Sequence, residues 1–199
     1  MIGRILRTAE PGVLVTLSLV GLAGCGAGLV RLTYPAPITP PNAAAQGKAL
    51  SVARFADARK NKKAVAAQRL ALQIGQIELK KPNSAGGWVA RALAAELTHA
   101  GCRVQLVDRR QQARDAVVVS GTVLKIFSDD YQYVIHSTVR FTLTVRKGGA
   151  IVLNKEYEGD VSQPRLSGFM STADYEKGIA AALQDAMKRA VPDIIAAMR

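Results

Sequence analysis

The sequence predicts an α+β domain, a mostly antiparallel sheet with two helices packed on one face, in the order β-α-β-β-β-β-α with an extra edge strand. Three observations carry that reading. Residues 131–146 alternate apolar and polar side chains and lead to Gly148-Gly149, a two-residue hairpin signal. Apolar residues recur every three or four positions from Val89 to Ala100, and again from Ile179 to Met198. Shorter alternating runs precede and follow the first of these helical stretches.

The chain has 199 residues, room for one domain able to bury about two-thirds of the surface its unfolded form exposes. A hydrophobic fraction of 49% argues against disorder. Two cysteines, Cys25 and Cys102, are too few for a disulfide framework.

Residues 1–24 read as a signal peptide. Arg4 and Arg7 supply a positive start, VLVTLSLVGL at 13–22 an apolar core of secretory length, and small residues follow. That core is shorter than the ~20 apolar residues of a spanning helix. Leu22-Ala23-Gly24-Cys25 closes the segment and resembles the lipobox of bacterial lipoproteins: a leucine, two small residues and the cysteine that receives lipid. The resemblance implies diacylglycerol in thioether linkage on Cys25, cleavage between Gly24 and Cys25, and acylation of the new amino group, as by palmitate. Two or more acyl chains give a stable anchor, since each buried CH₂ contributes ~0.8 kcal/mol. Gly26, rather than Asp, follows the cysteine. In the enterobacterial sorting pattern this resembles an outer-membrane lipoprotein facing the periplasm, rather than an inner-membrane one.

Removing residues 1–24 takes Arg4, Arg7 and Glu10 from 27 basic and 15 acidic side chains, leaving 25 and 14, a net charge of +11. An exported protein meets no nucleic acid. The anionic partners open to it are lipid headgroups, lipopolysaccharide phosphates and acidic protein surfaces; the plain alternative is that the charge serves solubility.

From 25 to 47 the lipid-bearing cysteine leads into a Pro/Gly/Ala-rich tether with Pro35, Pro37, Pro40 and Pro41 and little charge beyond Arg31. Proline precludes helix and extends the backbone, so the tether would hold the domain roughly 30 to 70 Å from the bilayer. The single α+β domain is expected over 48–199. It opens with Leu50, Val52 and Phe55, whose alternation suits a strand. Arg54, Arg59, Lys60, Lys62, Lys63 and Arg69 follow, opposed only by Asp57. Within this densest positive stretch, Arg59, Lys60, Lys62 and Lys63 are candidate contacts for an anionic surface, and an exposed loop kept soluble by its lysines is the alternative. Residues 72–79 alternate imperfectly around Gly75 and suit an edge strand or the arm of a loop.

Turn chemistry at Pro82-Asn83-Ser84 introduces a helix over about 85–100, closed by Gly101. Trp88 in its first turn is read as core packing, and His99 near its end as a partner for the helix dipole. Cys102, Val104 and Leu106 alternate with Arg103 and Gln105, a half-buried strand with a structural thiol on the core side. Strands follow at 116–127, 131–146 and 150–161, with a turn at Ser128-Asp129-Asp130. On the middle strand Val139, Phe141, Leu143 and Val145 face inward, and His136, Thr138, Arg140, Thr142 and Thr144 outward. Ser171 and Asp174 form a capping box before the closing helix, which Pro192 should bend or interrupt near 190–191.

This order, with Phe55-Ala56-Asp57-Ala58-Arg59, the helix from Trp88 to Gly101 running into a strand, the Gly-Gly hairpin before Lys155-Glu156-Tyr157 and the alanine-rich last helix, is similar to the YajG-like small outer-membrane lipoproteins. The likeness would cover 48–199 and brings no catalytic residues with it. Auxiliary lipoproteins of ABC-type lipid transporters, and lipoproteins that activate cell-wall synthases, have a similar order of elements.

No catalytic site is expected: the sequence has no nucleophile-elbow serine, no HExxH, no CxxC and two histidines. Gly86-Gly87 before a helix could hold an anion on free backbone N–H groups, which alone does not make a catalytic site. No metal is expected, and no cofactor beyond the covalent diacylglycerol and N-acyl lipid on Cys25. The expected role is a non-catalytic binding or adapter domain, an accessory subunit of an envelope complex. Its partners would be the membrane, through the lipid anchor, and an envelope protein, with anionic lipid or lipopolysaccharide as a further candidate. The alternative is an auxiliary lipoprotein of an ABC-type lipid or solute transport system.

Overall fold

The computed structural model describes residues 29–69, 76–80, 84–108, 117–131, 133–164 and 171–199, of which 68–69 and 76–80 are described in backbone only. Three long strands form its scaffold: β6 (Val118–Tyr131), β7 (Val134–Lys147) and β8 (Ala150–Pro164), each antiparallel to the next. Along β7, Ile135, Ser137, Val139, Phe141, Leu143 and Val145 are buried, while His136, Thr138, Arg140, Thr142 and Thr144 lie on the other face. The period of two therefore sorts this strand as expected. The β7–β8 turn also agrees: Gly148 and Gly149 have φ of 56° and 82°, the left-handed pair that a type I′ hairpin needs.

The other hairpin turn is displaced. Ser128, Asp129 and Asp130 continue β6, opposite Ser137, His136 and Ile135, and the chain reverses later, between Tyr131 and Val134. Those polar residues are accommodated because Ser128 and Ser137 pair through their hydroxyls at 2.8 Å inside the core.

Along its other edge β6 carries β1 (Ala49–Ala53), β2 (Ala56–Asp57) and β3 (Ala64–Arg69) in succession, all parallel to it. β4 (Gln76–Lys80) returns antiparallel to β3, and β5 (Arg103–Val107) pairs parallel with β1. The sheet is thus mixed rather than mostly antiparallel. One contribution is the long crossover from β1 to β5 through β2–β4 and the first helix, which returns the chain to the end from which β1 left, so that β5 runs parallel to β1. Residues 64–69, in the basic stretch for which an exposed loop is the alternative reading, are a strand, and of the edge strand or loop arm expected over 72–79 the described part, 76–79, is the strand β4; residues 72–75 lie outside the described residues. Leu106 is 51% exposed rather than inward, on a strand that pairs with β1 alone among the described strands.

The two helices, α1 (Ala85–His99) and α2 (Thr172–Ala197), share one core with the sheet. Ser84 caps α1 by accepting from the Gly87 amide at 3.3 Å, and Gly101, at φ 110°, ends it. α2 begins with the expected capping box, the Asp174 carboxylate accepting from the Ser171 amide at 3.0 Å. Pro192 does not interrupt α2, which continues to Ala197. The proline is exposed, so water can reach the carbonyl it leaves without a donor.

Close approach of helix to sheet depends on two glycines. A Cβ on Gly159 would collide with the Ala182 carbonyl of α2, and one on Gly86 with the Phe55 carbonyl. Gly86 is therefore a contact point between α1 and the chain after β1, not part of an anion cradle.

Candidate anchor and binding surfaces

Gly24 and Cys25 lie outside the described residues. The segment that follows them is seen from Leu29, and it is not a free tether. Val30, Leu32 and Ala45 are buried in the main core. The Arg31 amide donates to Glu176 of α2 at 2.6 Å, the Trp88 indole to the Thr33 carbonyl at 2.9 Å, and Gln184 to the Ala36 carbonyl at 3.1 Å. Farther on, His99 meets the Thr39 carbonyl at 2.6 Å, and the Asn42 amide donates to Ala100. Residues 29–47 thus form a strap across both helices. Prolines keep it extended and leave its backbone groups free to bond with side chains of the domain. Trp88 packs as expected, with its N–H satisfied by the strap.

Glu96 organises the centre of the strap. It is fully buried on α1, and its carboxylate accepts from the Tyr34 hydroxyl, from the Ile38 amide at 3.1 Å and from the Thr39 amide at 2.8 Å. Burial pushes its pKa up, but hydrogen bonds from Thr39, Tyr34 and Ile38 outweigh that, so the carboxyl lies below its ordinary value. Tyr34 is correspondingly raised, by burial first and by Glu96 second. Sequence reading passed over Glu96. The available signal was its position three residues after Leu93, on the apolar stripe of the helix.

The basic segment divides. Arg59 is 4% exposed and makes a two-pronged pair with Asp57, Nε to Oδ1 at 2.8 Å and Nη2 to Oδ2 at 2.9 Å. Its remaining donors reach the Ala64 and Lys62 carbonyls, each at 3.2 Å. It is a structural clasp joining β2 to β3, and so cannot be a contact for an anionic surface: its donors are already committed. Lys60, Lys62 and Lys63 are exposed on the turn this clasp encloses, where Asn61 accepts from the Lys63 and Ala64 amides.

A second unanticipated cluster joins α2 to the sheet. Asp193 accepts from Lys155 and from the Tyr157 hydroxyl, both at 2.8 Å. Those two hydrogen bonds lower the Asp193 pKa, while burial, followed by the Asp193 bond, raises that of Tyr157. The cluster is structural in form, a helix tied to the β8 strand beneath it.

Cys102 is buried and its thiol pKa is raised by burial, the opposite of an activated nucleophile. His136 is exposed and bonds Ser162 across strands. Among the described residues no group of three His, Cys, Asp or Glu side chains is placed to hold a metal, and no helix is long and apolar enough to cross a membrane. Clefts of about 710 Å³ beside β1 and β5, about 410 Å³ at the start of α1 and about 600 Å³ between strap and α2 are open and mixed in lining. None of the three is a deep apolar groove.

No protein-family model matches the sequence, and no curated protein sequence matches it. Solved structures do resemble the fold. The crystal structure of protein XCC0632 from Xanthomonas campestris, of the family described as DUF330, is 15% identical, covers 83% of this chain and 95% of its own, and has a TM-score of 0.58. The crystal structure of an uncharacterised protein is 11% identical, covers 81% of this chain and 99% of its own, and has a TM-score of 0.51. A candidate lipoprotein from Caulobacter crescentus aligns more loosely, at 13% identity over 73% of this chain and 89% of its own, with a TM-score of 0.41.

Proposed function

We propose that this chain is a bacterial lipoprotein, anchored through lipid on Cys25 to the periplasmic side of the outer membrane, whose domain is a non-catalytic adapter in an envelope complex. The observation that carries the adapter reading is the outer edge of β8. This strand is 15 residues long and β7 is its only partner among the described strands, so its far edge can take an added strand away from Glu158, whose carbonyl accepts from Arg189 of α2. Ile151 and Val152 are exposed near its start, while Lys155, Glu156 and Asp160 place charges farther along it. Charges of both signs discourage indiscriminate edge pairing and favour a partner with complementary ones. The filled core and the structural character of the Glu96, Arg59 and Asp193 clusters also support binding over catalysis.

The test is affinity capture of the acylated protein from solubilised envelopes, with a photo-crosslinking residue at Val152. Recovery of one envelope protein crosslinked through β8 is expected. Copurified lipid without a protein partner would overturn the adapter and favour a role in lipid transport. Replacing Cys25 by serine should leave the domain folded but move it from the membrane fraction to the soluble one; retention in the membrane fraction would overturn the anchor.

A further inference from the structure

We infer that the strap, resting on the lipidation of Cys25 proposed above, seats the domain directly on the bilayer, with the β6–β7 end and its Tyr131 and Tyr133 at the headgroups. The first described residue, Leu29, stands four positions after Cys25, so at most about 14 Å of extended chain separates them. That is well short of the reach of a free tether of twenty residues. Buried Val30 and Leu32, and the bond from the Arg31 amide to Glu176, fix the place where the chain joins the domain.

That place lies at one particular end. Glu176 is near the start of α2, and Thr33 and Pro35 line a cleft with Gln163 and Ala173. Gln163 pairs with Ile135, and Val134 with both Pro164 and Tyr131. The β6–β7 turn and the entry of the strap are therefore neighbours. The opposite hairpin, at Lys147, is 14 residues along β7, on the order of 40 Å away. An anchor allowing about 14 Å of chain keeps the first end near the lipid and the other end far from it.

The chemistry of the near end suits a lipid surface. Tyr133 is 74% exposed and Tyr131 37% exposed, with Leu29 exposed beside the anchor. Tyrosine places an apolar ring and a polar tip at one depth, the combination favoured at membrane interfaces. In this pose the start of β8, with Ile151 and Val152, stands at the end away from the bilayer, where a periplasmic partner can reach it, while Gln163 and Pro164 lie at the near end.

The experiment uses the full, lipidated chain carrying Cys102→Ala, reconstituted in vesicles of phosphatidylethanolamine and phosphatidylglycerol. A fluorophore is placed at Tyr133→Cys or at Lys147→Cys, and quenching by nitroxide-labelled lipid is measured alongside vesicle flotation. Quenching at 133 is expected to exceed that at 147 by about fivefold or more. Insertion of a Gly/Ser linker of about twenty residues after Gly26 should reduce quenching at 133 to the level at 147 without loss of flotation. Equal quenching at both sites in floating protein would overturn the orientation while leaving the anchor intact. Undiminished quenching at 133 with the long linker would overturn the role of the strap. Protein that fails to float would overturn the anchor itself, and the orientation with it.

Discussion

Glu96 of α1 and Tyr34 of the strap are joined by a hydrogen bond in which the buried carboxylate accepts from the phenol, and the same carboxylate receives the amides of Ile38 and Thr39. A charge is thus buried with its acceptors filled by a segment remote in sequence. The strap is held by this group as well as by its apolar residues, because an uncompensated charge in that position would be costly.

Replacing Glu96 by glutamine retains the shape but removes the charge and directs an NH₂ group at backbone N–H donors. A loss of about 2–4 kcal/mol is expected, the range for charge-assisted bonds together with donors left unsatisfied. Denaturant unfolding measures the loss. Hydrogen exchange at Ile38 and Thr39 should accelerate relative to the β7 amides, and an unchanged exchange pattern would contradict the role assigned to Glu96.

The same group makes the strap sensitive to acid. Its pKa is lower folded than unfolded, so the stability it contributes is complete above the unfolded value of roughly 4.3 and is lost as pH falls through the folded value. The protection of the strap amides, measured against their intrinsic exchange rate at each pH, should therefore fall below about pH 4. In Glu96→Gln this component of the pH dependence should vanish.

What was legible in the sequence follows from what each segment packs against. β7 could be read by eye because one face is buried and the other wet along its whole length, and the Ser171 capping box and Gly148-Gly149 act through local geometry. β3 could not be read this way. Its sequence, AVAAQR, carries few β-branched residues, and its strand state comes from pairing with β4 and β6 on either side. The strap was misread for a related reason. Proline and glycine correctly signalled the absence of helix, but absence of helix does not imply absence of contact. Only the carboxylate of Glu96 on an apolar stripe pointed to a buried polar partner from elsewhere. At the basic segment, charge density located the exposed lysines. It could not separate Arg59 from them, because what singles out Arg59 is Asp57 brought opposite by a turn.

That separation is testable. Arg59→Ala removes the clasp between β2 and β3, taking the guanidinium from Asp57 and from the Ala64 and Lys62 carbonyls, so a loss of about 2–4 kcal/mol is expected in denaturant unfolding. Lys60, Lys62 and Lys63 are exposed, and their replacement by alanine together should shift stability by no more than about 0.5 kcal/mol per site. If these lysines meet anionic lipid, the triple variant should bind phosphatidylglycerol vesicles more weakly, with a shallower dependence on salt. Equal stability losses from Arg59→Ala and the triple variant would refute the division.

Gly159 is the most exacting position in the packing of α2. It lies on β8 where a Cβ would strike the Ala182 carbonyl and crowd the Ala186 amide, both backbone groups of the helix that cannot turn aside as a flexible side chain would. Gly159→Ala should therefore displace α2 rather than repack locally, at a cost of about 3 kcal/mol or more, the upper part of the overpacking range. The displacement would also lengthen the Lys155 and Tyr157 bonds to Asp193, so the depressed Asp193 pKa should move back toward that of an ordinary aspartate. Gly149→Ala is the control, since its Cβ meets nothing within 4 Å and the remaining cost is that of φ 82° alone, about 1–2 kcal/mol. Denaturant unfolding of both variants, with an NMR titration of Asp193, distinguishes a helix pushed from its seat from a strained turn; an Asp193 pKa unmoved in Gly159→Ala would mean that α2 had kept its place.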